Sequence, residues 1–213
     1  MKFDDFIKTY RESVIIDSST FNWFSDKPQD VRRQVRYWVK KGYLISLKKG
    51  IYILSDNYRK INLSRGFLAN FLVSPSYLSL EYALGFYGLI PEKVTVYTSI
   101  TTKKTAAYKN YLGVFEYRSL KKDLFFGFTK VAENNQEFFI AQPEKAILDF
   151  FYFRKEIKGK AGEFESLRFQ NLETLDIAKL QEFSKNFTKK VNKIAQEFVN
   201  FVVQENREWK TLK

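Results

Sequence analysis

Apolar positions at the start of the chain recur at helical spacing and then switch to strand-like runs. Phe3, Phe6, Ile7 and Tyr10 mark one face of a short first helix. Ser18, Ser19 and Thr20 offer an N-cap to a second helix over Phe21 to Ser25, whose Phe21 and Phe24 are placed to pack on the first. Val31, Val35, Trp38 and Val39 fall at i, i+4, i+7 and i+8 of a third. Pro28 suits its first turn, where a missing N–H has no intrahelical partner to lose, and Asp26 is available to cap the free donors. Gly42 supplies the stop, because glycine tolerates the left-handed conformation after a last turn. Beyond it, Tyr43 to Leu47 and Ile51 to Leu54 are two β-prone runs joined by Lys48-Lys49-Gly50, which predicts a hairpin with a basic tip.

After the polar break Ser55-Asp56-Asn57 the pattern becomes mixed, and a domain boundary is expected near residue 58. Leu63, Phe67, Leu68, Phe71 and Leu72 predict a helix that Ser74-Pro75 interrupts, and Ser79 to Gly88 a shorter one that Pro91 prevents from continuing. Four runs rich in β-branched and aromatic residues follow, Val94 to Ile100, Val114 to Leu120, Leu124 to Ala132 and Glu137 to Ala141; they predict an antiparallel sheet. Pro143-Glu144-Lys145 opens another helix, and the stretch after Phe153 reads as a charged loop. Ile177, Leu180, Phe183 (or Ser184), Phe187, Val191, Ile194, Phe198 and Phe201 form a last helical stripe, broken near Asn186. The expected fold class is α+β: residues 1–57 a winged helix-turn-helix, residues 58–213 a mixed α/β domain with an antiparallel sheet and C-terminal helices.

Charge sharpens this outline. On the wheel of the third helix, Gln29, Arg32, Arg33, Arg36, Tyr37 and Lys40 lie on the outward face and flank of the apolar stripe, and Lys48 and Lys49 lie at the hairpin turn. Arginine forks match guanine O6 and N7, glutamine matches adenine N6 and N7, and lysines beside the groove reach phosphates. The other reading is an amphipathic helix with a merely solvated basic face. Lys+Arg of 36 against Asp+Glu of 24 gives a net charge of +12, which favours a polyanionic partner without choosing among DNA, RNA and acidic lipid. Lys103, Lys104, Lys121 and Lys122 form a secondary basic set.

The chain has no cysteine and no histidine, so disulfides, thiolate metal sites and serine–histidine or cysteine–histidine nucleophiles are excluded. Carboxylate or lysine chemistry survives, with Glu81, Glu116, Glu144, Asp149, Lys130 and Lys145 as its candidates, but no pair stands at a diagnostic spacing. No cofactor and no catalytic residue is expected. Neither a membrane span nor an export signal is read from the sequence, and the expected compartment is the cytoplasm.

Three blocks, KKGYLISLKKGIYIL, YLSLEYALGFYGLIPE followed by VTVYTSITTKK, and AQPEKAILDFFYF, together resemble the AbiEi family, the antitoxin and transcriptional-regulator half of bacterial abortive-infection systems. The resemblance spans roughly residues 20 to 153 and continues beyond only as helical character. It implies a winged helix that binds inverted repeats in its own promoter and represses the operon. It also implies a C-terminal domain that neutralises a nucleotidyltransferase-like toxin encoded alongside, in a type IV system that needs no stable complex. On this resemblance Gln29, Arg32, Arg33 and Arg36 read the operator, and Lys40, Lys48 and Lys49 contact phosphates. Binding as a monomer or as a homodimer on DNA stays open, as do two other functions. One is a winged-helix regulator with a ligand-sensing or dimerising second domain; the other is a metal-dependent nucleic-acid-processing enzyme.

Overall fold

The computed structural model describes residues 2–23 and 27–211, which form a mixed α+β fold with two sheets. The N-terminal unit begins with α1 (Phe3–Tyr10), β1 (Ile16–Asp17) and a 3-10 turn, Ser18–Trp23; α2 (Pro28–Lys40), β2 (Leu44–Lys48) and β3 (Ile51–Leu54) follow. Phe6, Phe21, Val31, Val35, Trp38, Leu44 and Leu54 are buried together, with the rings of Phe6 and Trp38 4.8 Å apart. Burying a large apolar side chain is worth about 1.5–3 kcal/mol, so this small cluster is what fixes the angle of α2. The end of α2 is closed by backbone bonds from Gly42 N to Val39 O and from Tyr43 N to Trp38 O, with Gly42 at a φ of 74°. That pair of bonds is the Schellman closure, and it requires the left-handed residue that glycine supplies.

The predicted second helix differs. Residues 18–23 wind as a 3-10 turn that starts on the residues expected to cap it, because Asp17 is the cap: its carboxylate accepts from Ser19 N at 2.8 Å and its carbonyl from Thr20 Oγ1 at 2.7 Å. Phe24, Ser25 and the expected α2 cap Asp26 lie outside the described residues.

In the second unit, α3 (Arg65–Leu72) is capped by Ser64 Oγ, which accepts from Phe67 N. It is followed by β4 (Ser76–Leu78), α4 (Leu80–Phe86), β5 (Val96–Thr101), β6 (Ala106–Asn110), β7 (Gly113–Ser119), β8 (Phe128–Glu133) and β9 (Gln136–Ala141). The helices α5 (Pro143–Phe153), α6 (Ala161–Ser166), α7 (Ile177–Ser184) and α8 (Lys189–Thr211) complete it. Strand order is β6-β7-β5-β4-β9-β8. The sheet is mixed, not antiparallel as expected: β5 pairs with β7 and β4 with β9 in parallel. The missed strands explain the error. β6, with alternating half-buried and exposed residues, carries the chain back along the sheet edge and lets the more buried β7 lie beside β5. β4 follows directly on the Ser74-Pro75 break and is too short to show a period. Within the expected charged loop, α6 forms where Glu163 accepts from the backbone N–H groups of Lys158, Gly159 and Lys160.

The β2–β3 hairpin is shared between the two units. Leu44 and Leu54 face the N-terminal cluster, whereas Leu47, Ile51 and Ile53 belong to the large core of the second unit. Tyr58 still packs on Phe3 and Tyr43, and Lys60 N donates to Arg11 O. Tyr58 and Lys60 are thus in contact with the N-terminal unit.

Candidate nucleic-acid interface

The buried stripe of α2, with Val31, Val35 and Trp38 each no more than 3% exposed, turns the remaining residues outward. Gln29, Arg32, Arg33, Arg36, Tyr37 and Lys40 are all exposed. They stand in two ridges, Arg32-Arg36-Lys40 and Gln29-Arg33-Tyr37-Lys41, each stepping by one helical turn. Tyr37 is 53% exposed, and the Lys41 ammonium lies 5.8 Å from the centre of its ring. Asp30 is the one acidic residue of α2, 4.0 Å from Arg33 across a solvent-open contact that contributes little. Like charges one turn apart cost an isolated helix about 0.2–0.5 kcal/mol per pair. The ridge Arg32-Arg36-Lys40 thus carries a small electrostatic penalty that burial of Val31, Val35 and Trp38 outweighs and that a polyanion relieves. From Arg32 to Lys40 the ridge spans about 12 Å at 1.5 Å per residue, comparable with the width of a DNA major groove.

The two lysines of the hairpin turn separate. Lys49 is exposed, but Lys48 is half-buried and its ammonium donates to the carbonyl of Leu72 in the second unit. Lys103 and Lys104 follow the end of β5, and Lys121 and Lys122 follow the end of β7; all four are exposed. Because β5 and β7 run parallel with Thr101 beside Ser119, both lysine pairs emerge at the same end of the sheet. Lys103 also lies close enough to Lys48 to lower that lysine's pKa. The two lysine pairs thereby leave the sheet at one end, with Lys103 near the hairpin.

The carboxylates do not gather. Asp149 is fully buried on α5 and paired with Lys145, Glu81 binds Arg154 at 2.6 Å, and Glu144 accepts from Asp176 N at 3.0 Å. Lys130 pairs with Glu137 at 2.9 Å on the β8–β9 ladder. Among the described residues, no group of three or more acidic, histidine or cysteine side chains stands close enough to hold a metal ion.

Lys145 and Asp149, named in the sequence only as separate candidates, form one buried polar group with Tyr77 and Ser79. Lys145 donates to Tyr77 Oη at 2.9 Å and to Asp149, which also accepts from Tyr77 Oη at 2.9 Å and from Ser79 Oγ at 2.8 Å. Burial pushes the Asp149 carboxyl up and the Lys145 ammonium down, each opposed by the other's charge. The signal was present: a lysine and an aspartate at i and i+4 inside the apolar run of α5 must satisfy one another if that face is buried.

No protein-family model matches the chain, and no curated protein sequence matches it. Among the described residues, no helix is long and apolar enough to cross a membrane.

Proposed function

We propose that this chain is a DNA-binding transcriptional repressor of its own operon and the antitoxin of a type IV toxin–antitoxin pair. In this reading the N-terminal unit is a winged helix-turn-helix. Its recognition helix is α2, and its wing is the β2–β3 hairpin. The observation that carries the reading is the exposed basic face of α2, neutralised within the helix by Asp30 alone, together with the exposed Lys49 of the hairpin turn. Gln29, Arg32, Arg33 and Arg36 read base edges, Lys40 and Lys49 contact phosphates, and Tyr37 packs against the sugar–phosphate wall. Lys48 leaves the phosphate set because its ammonium is already engaged on Leu72.

The antitoxin half rests on the three AbiEi-like blocks, of which AQPEKAILDFFYF forms the end of β9 and α5. The partners are double-stranded DNA carrying inverted repeats, bound by monomers or a homodimer, and a cognate nucleotidyltransferase-like toxin that is neutralised without a stable complex. The site of action is the cytoplasm, and no catalytic step or cofactor is assigned.

Fluorescence anisotropy on the chain's own promoter fragment and on a scrambled fragment, across a salt series, tests the DNA half. Promoter preference that Arg33→Ala or Arg36→Ala weakens by about 1–3 kcal/mol supports it. Equal affinity for both fragments, with a steep salt dependence, sinks it. Co-expression with the neighbouring gene product tests the antitoxin half: growth rescue is expected, and its absence with a toxic neighbour removes that half alone.

A further inference from the structure

Lys48 closes the end of a helix that belongs to the other unit. Its Nζ donates to the carbonyl of Leu72 at 2.8 Å and lies 5.6 Å from the centre of the Phe71 ring. Leu72 is the last residue of α3, so its carbonyl is among the terminal acceptors that lack an intrahelical donor, at the negative end of the helix dipole. An ammonium delivered from β2 satisfies that acceptor, and the aromatic face beneath it adds a cation–π contact. Desolvation in this seat draws the lysine's pKa below its ordinary value; the charge of Lys103 adds to the effect and that of Asp17 opposes it.

The surroundings make this bond more than a surface contact. β2 and β3 have apolar residues on both faces, with Leu47, Ile51 and Ile53 in the large core and Leu44 and Leu54 in the small one. β2 also runs beside β6, the edge strand of the larger sheet. A hairpin held on both faces and fastened near its turn has little freedom to move against either unit. Lys49, the next residue, inherits its position from that fastening.

We propose that Lys48 is a positioning residue that rivets the hairpin to the C-terminal end of α3, so that the second unit sets where the hairpin turn stands relative to α2 and thereby regulates DNA binding. Its consequence for DNA rests on the proposed function; the rivet itself does not. A partner that displaces α3 or β6 would move Lys49 without touching α2.

Two readouts on the full chain test this. In DNA-free protein, hydrogen exchange of Lys48→Met should speed up about tenfold over residues 44–54 and 65–73, the loss expected for one charge-assisted hydrogen bond, and stay unchanged in α5 and α8. Lys48→Arg, which keeps charge and donors, should restore protection. In the salt series on the promoter fragment, Lys48→Met should weaken binding several-fold with the slope of log K against log salt unchanged. Lys49→Gln should instead lower that slope by about 0.9, the mark of one lost phosphate contact. Exchange that is unchanged, or accelerated uniformly through the chain, overturns the rivet. A slope loss for Lys48→Met equal to that for Lys49→Gln overturns the positioning role and returns Lys48 to the phosphates. If the wild-type chain shows no promoter preference, the DNA reading fails while the exchange result still decides the rivet. Should Lys48→Met fail to fold, Phe71→Leu removes only the ring under the ammonium and carries the same exchange readout.

Discussion

Lys145 and Asp149 face each other one turn apart on α5, and neither side chain reaches solvent. Four residues from elsewhere in the chain hold the pair: Tyr77 of β4 bonds both partners, Ser79 bonds the carboxylate, and the rings of Phe126 and Phe187 stand 5.3 and 5.0 Å from the ammonium. Two charges in an apolar interior are tolerated only when every donor and acceptor is matched. The group therefore specifies how β4, α5 and the turn between α7 and α8 meet more than it adds net stability.

Breaking that pair from one side should be costly. Lys145→Met leaves an unpaired buried carboxylate and is expected to lower unfolding free energy by about 3–5 kcal/mol in urea titration. Lys145→Met combined with Asp149→Leu should recover much of the loss. A double variant no more stable than the single one would show that the surrounding hydroxyls, not the pair, dominate.

Alkali should unfold the second unit through its tyrosines. Burial pushes the phenols of Tyr82 and Tyr87 up to about 12 from an ordinary 10.0, and raises those of Tyr77 and Tyr117 as well. A raised folded-state pKa means that the folded chain holds the proton more tightly. The stability it contributes is complete below pH 10 and is lost as pH rises through 12. Ultraviolet titration of phenolate should show a late group of tyrosines whose ionisation coincides with loss of far-ultraviolet circular dichroism. A single smooth titration at the ordinary value would refute the assignment.

Gly127 sits at a φ of 70°, and a Cβ there would stand 3.0 Å from Phe183 and 3.1 Å from Lys145. Gly127→Ala is expected to cost more than about 1 kcal/mol, from backbone strain together with crowding against the buried lysine. The thermal midpoint measures it; a neutral substitution would mean that the turn before β8 relaxes freely.

Trp38 carries the contact between α2 and α1, 2% exposed and 4.8 Å from Phe6 by ring centres. Trp38→Ala should destabilise the chain by about 3–5 kcal/mol and, on the proposed function, abolish promoter preference with it. Arg36→Ala should reduce promoter affinity with its thermal midpoint retained. Parallel loss of fold in both variants would mean that Arg36 is structural.

Much of the outline was legible because it depends on local rules. The stripe Val31, Val35, Trp38, the glycine stop at Gly42, Pro143 opening α5 and the break before α8 each follow from neighbours within a turn or two. The 3-10 turn over 18–23 was misread because Asp17, not the serines, holds the cap. β1 and β4, of 2 and 3 residues, carry no usable period; they exist only because β3 in one case and β5 and β9 in the other offer partners.

The site divided in the same way. The outward placement of Gln29, Arg32, Arg33, Arg36, Tyr37 and Lys40 follows from helical geometry once the apolar stripe is buried, so the sequence by itself determined that face and its charge. It also held a signal that went unused: LISL and IYIL are nearly continuous apolar runs, the mark of strands covered on both faces. Only the tertiary structure decided that of the adjacent, chemically identical Lys48 and Lys49 the first donates to Leu72 and the second stands exposed, that Lys103 and Lys121 leave the sheet side by side, and that Lys145 and Asp149 meet Tyr77 and Ser79. Those relationships join residues far apart in the chain. Their energies depend on desolvation and on distances that no local pattern encodes.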